Sequence, residues 1–575
     1  MCGIIGYVGL GKASQIITDG LKRLEYRGYD SVGIAVLKNK KFELRKDKGM
    51  VGEVSSQLEF TTMDGNIGIG HTRWATHGVV CTENAHPHFD CNKTVVLAHN
   101  GVIENFLQLK KGLNGHKFSS ETDSEVVAHI FEENLKLLSP EEAFLTTISS
   151  LGGSYAIAAL STNDPEERLF IARRNSPLII GVGKGEMFCA SDIPAMLPYT
   201  RSFIHLEEGD RAILSKSGYT IYDPEGKKIN REIITVDWNF DVAQKGGYSH
   251  FMLKEIHDQE HFIGQTLHSE TDKAKVMIDK FEKIHILAAG TSYHSALLFS
   301  YLLSEKGKIA QAFVASDYQF IGKPDEKTLV IAISQSGETA DVLQALRYAS
   351  KSKKIAITNT IGSTITRISD ETILLNAGPE VGVAATKTFT SQMAIIYKII
   401  YGKVKLSALQ KLIATMLECE ESVRKIAPLL AKKSNVFFIA RGKNVPIAYE
   451  ASLKFKEITY ISSEAYPGGE LKHGTLSLIT EGVPVIVLAP NDQTLSKLAG
   501  NIQEAKARGA MILSITDDPE TAKISYQSIQ IPKCDPLLYP FALIIPLQLL
   551  AYHVSIERGI NPDRPRNLAK SVTVE

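Results

Sequence analysis

A strand, loop and helix order appears twice in the back half of this 575-residue chain, and the two copies keep nearly the same spacing. Short apolar runs at 284–288, 328–334 and 354–358 each lead into a loop or helical stretch, and the same order returns at 435–440, 483–489 and 511–516. Matching Gly290 with Gly442, Thr339 with Thr494 and Thr358 with Thr516 gives offsets of 152, 155 and 158, a drift that small insertions produce. Buried strands that alternate with helices imply a parallel sheet covered on both faces, so each copy is expected to be a doubly wound α/β domain. The copies part company at one loop. Ser334-Gln335-Ser336-Gly337-Glu338-Thr339 in the first is Ala489-Pro490-Asn491-Asp492-Gln493-Thr494 in the second, and only the first keeps hydroxyls suited to an anion.

The front of the chain follows another rule. Up to about residue 235, short alternating or apolar runs (4–8, 33–37, 67–71, 95–99, 155–160 and 169–172) are separated by glycine and asparagine turns, which predicts a layered, sheet-rich domain. Helical patterns at 13–25 and 123–136 would cover the sheets, the second with capping side chains from Ser120-Glu121-Thr122-Asp123. The periodicity fades through Asp237, Asn239, Asp241, Lys245, Gly246 and Gly247, as in a linker. The expected organisation is therefore a first domain at 1–235, a linker at 236–248, repeats at 249–418 and 419–560, and a tail at 561–575.

Charge and cysteine usage narrow the partners. Lys+Arg 64 against Asp+Glu 64 leaves no net field to attract a nucleic acid or an anionic membrane surface. The six cysteines form no Cys-x-x-Cys pair, and the start has no basic region ahead of an apolar one, so a reducing, cytoplasmic setting is expected. The apolar stretch 537–554 is interrupted by Pro540, Pro546, Gln548 and His553, which predicts a buried helix and not a membrane span.

Cys2 follows the initiator Met, and cysteine is small enough for that Met to be removed. One residue would then carry a thiol and a free amine whose ordinary pKa of ~7.7–8.0 suits it to accept the thiol proton. The stretches Tyr26-Arg27-Gly28-Tyr29-Asp30, His71-Thr72-Arg73-Trp74-Ala75-Thr76-His77-Gly78, His99-Asn100-Gly101 and Ser120-Glu121-Thr122-Asp123 accompany it. Together they resemble the class II glutamine amidotransferase domain, an N-terminal-nucleophile hydrolase with an αββα layered fold. The resemblance implies that Cys2 is the nucleophile and that Asn100 and the Gly101 N–H form the oxyanion hole. Arg73 would clamp the glutamine carboxylate and Asp123 the ammonium, with Arg27, Thr76 and His77 completing the glutamine site. Trp74, beside the clamp, would gate the ammonia released.

Two other patterns lead elsewhere. His86, His88 and Asp90 alternate as on one strand face, but Pro87 lies between the histidines and no fourth ligand is spaced to join them, so no metal is expected. Gly181-Val182-Gly183-Lys184-Gly185 lacks the Ser or Thr of a nucleotide loop and reads as a hairpin turn.

In the first repeat the strand at 328–333 runs into the hydroxyl loop and then a helix, so Ser334, Gln335, Ser336, Thr339 and the helix N-terminus would converge on one phosphate. Gly290-Thr291-Ser292 ends the preceding strand at the same sheet edge. These signatures resemble the sugar isomerase (SIS) fold. The whole order, with Glu450-Ala451-Ser452-Leu453-Lys454-Phe455-Lys456-Glu457, Gly469-Glu470-Leu471-Lys472-His473-Gly474 and the stretch from Asn567 to Glu575, resembles the glutamine:fructose-6-phosphate amidotransferase family.

That resemblance implies glutamine and fructose 6-phosphate as substrates, no cofactor and a homodimer in which the His473 loop serves the neighbouring site. Lys570 would form a Schiff base with the open-chain ketose, His473 would assist ring opening, and Glu457 would move a proton between C1 and C2. Thr291, Ser292, Val383, Lys454 and Ala569 would join the hydroxyl loop around the sugar phosphate. Ala385 stands where the family commonly has a hydroxyl. The competing readings are another class II amidotransferase and a non-catalytic sugar-phosphate sensor. The first would need an acidic phosphoribosyl loop or a Ser-Gly-Gly nucleotide loop, neither of which occurs; the second would not need Cys2, Glu457, His473 and Lys570 together.

Overall fold

The computed structural model describes residues 2–74, 78–236, 245–402 and 406–572. The chain divides into two units, residues 1–240 with 571–575, and residues 241–570.

The first unit is built on an eight-stranded and a seven-stranded sheet, both antiparallel where their pairing is described. In the strand Gly3–Val8, successive side chains point to opposite faces, and both faces are buried. Ile4 therefore enters the core between the sheets with Ile69, Val96, Ala158 and Ile171, while Ile5 joins the outer core with Ile17, Leu21 and Ile34. The helix Ala13–Leu24 supplies that outer layer. On the far side, Glu125–Leu135 and Pro140–Ser149 cover the second sheet, with Phe131 and Phe144 packed against Phe170. The order is helix, sheet, sheet, helix, as expected.

One local expectation fails. The helix predicted from 123 starts at Glu125, and Ser124 caps nothing with its side chain. Asp123 instead accepts the Ile103 N–H at 2.6 Å, and Ser119 and Ser120 donate to the Glu125 carboxylate. The polar groups ahead of this helix have tertiary partners that outweigh the local cap. The 181–185 stretch is a hairpin, with Ile179–Val182 paired antiparallel to Met187–Ala190.

The second unit holds two five-stranded parallel sheets of identical topology. The first runs Ile309–Val314, Lys283–Ala288, Thr328–Ser334, Lys353–Thr358, Glu371–Leu374; the second runs Ser462–Pro467, Asn435–Ala440, Pro484–Ala489, Met511–Thr516, Gln527–Gln530. The two outer strands of each sheet escaped the sequence reading because their exposed positions break the apolar run. The helix Tyr539–Glu557 is long and apolar enough to cross a membrane, yet its most apolar stretch is 94% buried inside the unit, in the core with Leu430 and Phe455.

Candidate active site

Two constellations of the sequence-selected residues form, one in each unit. In the first, Cys2 sits immediately ahead of Gly3–Val8, whose neighbour Ile67–Arg73 delivers Arg73 and then Trp74. The Trp74 N–H donates to the Cys2 Sγ at 3.4 Å. Burial pushes the Cys2 thiol up, while that N–H and the charges of Arg73 and Arg27 favour the thiolate.

The Cys2 carbonyl accepts from Arg27 Nε at 3.2 Å and from Asn100 Nδ2 at 3.1 Å. His71 orients that amide. Its Nε2 lies 3.0 Å from both the His99 carbonyl and Asn100 Oδ1; a carbonyl can only accept, so Nε2 carries the proton and Asn100 turns its NH₂ toward Cys2. Burial holds His71 near a pKa of about 3, and the stacked His86 and its neighbour His88 are likewise kept neutral by burial. Gly101 has φ +123°, and a Cβ there would stand 2.0 Å from the Ser154 carbonyl oxygen, so no other residue fits beside Asn100.

Arg73 is buried, its guanidinium donating at 3.3 Å to the Gly78 and Val79 carbonyls. Arg27 reaches Asp192 at 3.5 Å. Trp74 is half-buried, and Asp123 is held against the strand that carries Asn100 and Gly101. Thr76 and His77 lie outside the described residues. His86 accepts the His99 N–H, while Asp90 is taken up by Thr94 and Val95, so these two do not converge on a common ligand.

In the second unit, the helix Val445–Thr459 aligns Glu450, Lys454 and Glu457 on one face by their spacing of four and three. Lys454 Nζ donates to Glu457 at 2.6 Å and to Thr291 Oγ1 at 3.1 Å; Thr291 in turn donates to Glu450 at 3.0 Å. Burial disfavours the Lys454 ammonium, but Glu457 and Glu450 outweigh it and the net shift is upward. Glu450 also bonds His294 at 2.7 Å, and Ser292 accepts from Gln392 at 2.9 Å.

On the hydroxyl loop, Ser334 Oγ and Thr339 Oγ1 are 3.0 Å apart, the Gly337 N–H donates to Ser334 and the Glu338 N–H to Ser336. Gln335 fixes the loop through its carbonyl, which accepts the Asn359 N–H. Thr339 is the N-cap residue of Ala340–Tyr348 and makes no side-chain cap, its hydroxyl pairing with Ser334 beside the helix end.

Lys570 is buried at its amine, donating to Glu380 at 2.5 Å and to the Gly382 carbonyl at 2.7 Å, beside half-buried Val383 and Ala569. Burial would raise the Glu380 carboxyl, but Lys570, Thr388 and the Thr386 N–H hold it well below its ordinary value. The reverse holds for Glu255, pushed up to about 7 by burial and then by Glu380, while it accepts the Val381 and Gly382 N–H groups. His473 is exposed on the turn Gly468–His473 and forms no hydrogen bond or ion pair among the described residues. Sequence reasoning missed Glu255, Glu380 and Glu450. Glu450 had a signal, one turn before Lys454; the other two reach Lys570 from 315 and 190 positions away by number.

The glutamine amidotransferase domain family matches residues 71–198, and the SIS domain family matches 277–400 and 429–558. A glutamine amidotransferase joined to tandem SIS domains is the class that fold and matches define. A glutamine–fructose-6-phosphate aminotransferase (isomerizing) of Pyrococcus horikoshii is 48% identical over the full length of both chains, and one of Thermococcus kodakarensis 45%, also over the full length of both. The C-terminal domain of glucosamine-fructose-6-phosphate aminotransferase from Francisella tularensis covers 56% of this chain and all of its own at 32% identity, with a TM-score of 0.53. The chain belongs to the glutamine–fructose-6-phosphate aminotransferase (isomerizing) family.

Proposed function

We propose that this chain converts glutamine and fructose 6-phosphate to glutamate and glucosamine 6-phosphate, the entry reaction of hexosamine synthesis. The observation that carries the reading is the coexistence, in one family-matched chain, of an Asn100 amide turned to Cys2 and a Lys454–Glu457 pair, buried at the lysine, on Thr291. With Met1 removed, the Cys2 amine takes the thiol proton and the sulfur attacks the glutamine amide. Asn100 and the Gly101 N–H steady the oxyanion, a contribution of several kcal/mol in such sites. Arg27, Arg73, Thr76, His77 and Asp123 hold glutamine, and Trp74 retains the ammonia.

At the sugar site, Ser334, Gln335, Ser336 and Thr339 take the phosphate, with Thr291, Ser292, Val383, Lys454 and Ala569 around the sugar. Lys570 forms the Schiff base after losing its extra proton to solvent, and Glu457 shuttles the proton between C1 and C2. His473 opens the ring, and its exposure fits service to the site of a second chain in a homodimer. The six free cysteines fit a reducing cytoplasm. We place the glutaminase at 1–235 and the two isomerase repeats at 249–418 and 419–560.

The test is a paired assay with intact mass. The active protein should begin at Cys2, and Cys2→Ala should abolish glutamine hydrolysis while leaving sugar isomerisation in place. Undiminished glutaminase activity in a protein that retains Met1 would overturn the nucleophile assignment.

A further inference from the structure

Away from the proposed glutamine site, four side chains that the mechanism does not use converge beneath the outer helix of the first unit. Cys91 follows the short strand His88–Phe89, His116 lies in the loop before the helix Glu125–Leu135, and His129 and Glu132 share one face of that helix. Cys91 Sγ is 3.5 Å from both His116 Nδ1 and His129 Nδ1, and the two nitrogens are 3.1 Å apart. Glu132 Oε2 stands 3.4 Å from His116 Nδ1 and 3.7 Å from His129 Nδ1, and all four donor atoms lie within 4.8 Å of one another.

We propose that Cys91, His116, His129 and Glu132 form a tetrahedral zinc site that staples the helix Glu125–Leu135 to the loops beneath it. Donors at ~2.0–2.3 Å from a tetrahedral zinc are separated by ~3.3–3.7 Å; the four distances of 3.4, 3.5, 3.5 and 3.7 Å fall in that range, and the two imidazole nitrogens, at 3.1 Å, would move apart by a few tenths of an ångström to admit the ion. The surroundings set the donor atoms correctly. His116 Nε2 lies 2.7 Å from Glu133 Oε1, so its ring proton sits on Nε2 and its Nδ1 lone pair faces the cluster. His129 Nε2 makes no hydrogen bond but stands 3.6 Å from Glu125 Oε1, a carboxylate that favours the proton on that nitrogen and leaves Nδ1 to the cluster. The Lys117 N–H donates to Cys91 Sγ at 3.4 Å, as suits a thiolate. Glu132 is 5% exposed, and its Oε1 is engaged by Asn92 while Oε2, aimed into the cluster, has no hydrogen-bond partner. Two imidazole lone pairs, a carboxylate oxygen and a sulfur facing each other repel unless a cation lies among them. Soft sulfur with imidazole in tetrahedral array selects zinc over magnesium or calcium, and four protein donors leave no open position, so the site is structural and not catalytic.

The sequence hid this site because its ligands are 25, 13 and 3 residues apart, a spacing that matches no metal motif. Only the paired strands and the helix over them bring the four together.

The test is metal content and cobalt spectroscopy on the full chain. Purified without chelator, the protein should carry close to one zinc per chain. Replacement by Co²⁺ should give the intense visible bands of a tetrahedral site and a thiolate-to-cobalt charge-transfer band in the near ultraviolet. Cys91→Ser, at an exposed position, should keep the circular dichroism spectrum of the parent and lose the charge-transfer band. Glu133→Gln, which removes the partner of the His116 ring, should weaken zinc binding ~10- to 100-fold. Chelation should lower the thermal midpoint of the parent and leave that of Cys91→Ser unmoved. A parent protein that holds no zinc and takes up Co²⁺ without a thiolate band would overturn the proposal. So would a charge-transfer band that survives in Cys91→Ser.

Discussion

The two isomerase repeats have the same five-stranded sheet in the same strand order, yet the loops after their third strands in space are chemically opposite. In the first repeat that loop presents Ser334, Ser336 and Thr339 with an uncapped helix behind them. In the second, Asp492 fills the turn with its own carboxylate, accepting from Thr494 N at 2.8 Å, Thr494 Oγ1 at 2.6 Å and Asn444 at 3.1 Å. An anion would meet hydroxyls that can turn to donate in one and a negative charge in the other. The second repeat contributes instead the helix bearing Glu450, Lys454 and Glu457, which reaches back to Thr291 of the first. Duplication supplied the scaffold twice, and the proposed function divides the labour, with phosphate binding in one copy and proton movement in the other, through loops and one helix face.

That division breaks most visibly at Glu457. Glu457→Gln should lower glucosamine 6-phosphate formation ~10²- to 10⁴-fold, the range for a lost acid–base group, while fructose 6-phosphate still titrates with nearly the parent affinity. A large loss of affinity instead would mean that the second repeat also binds the phosphate. Next in size, Ser336→Ala should cost ~10- to 150-fold in sugar-phosphate affinity, the loss of one hydrogen bond to a charged group. Its counterpart control, Asn491→Ala in the second repeat, should leave the titration unchanged.

A smaller effect is expected at Gly337, which has φ +66° and where a Cβ would stand 2.2 Å from Ser363 Oγ. Gly337→Ala should destabilise the first repeat by ~1–3 kcal/mol and weaken phosphate binding with it, as chemical denaturation and titration would show. The smallest effect concerns pH. Glu255 has its folded-state pKa raised to about 7, above the ordinary carboxylate value, so its contribution is fully present in acid and is lost as pH rises through 7. Glu255→Gln should therefore flatten the fall in thermal midpoint between mildly acidic and mildly alkaline buffer. An unchanged profile would show that Glu255 does not govern the 381–382 loop.

The sequence made the duplicated sheets legible because buried parallel strands leave unbroken apolar runs, and Cys2 and Ser334 to Thr339 stood out as candidates because the chemistry proposed for each tolerates few residue types, whereas Lys454, Glu457 and Lys570 were named only through the family resemblance. What stayed hidden depends on contacts between distant positions: Glu255 and Glu380 around Lys570, the three donors around Cys91, and the Ile103 N–H that draws Asp123 away from capping. Local pattern records which groups a segment offers and not which distant groups answer them.

The helix Phe251–Thr266 opens the second unit, and its first two amides are satisfied by Asp563, 312 and 311 residues downstream. Arg566, just beyond, donates its N–H to Tyr460 and lays its guanidinium over that ring, and Lys570 follows on Glu380. Synthesis proceeds in one direction, and at ~5–20 residues per second those amides wait on the order of 15 to 60 s for their partner. Both repeats are complete before the peptide that fastens them exists. Lys570, the amine proposed to take the sugar, emerges with the same peptide, so under that proposal maturation has a fixed last act: a nascent chain can already hold its sheets but cannot begin chemistry on a ketose.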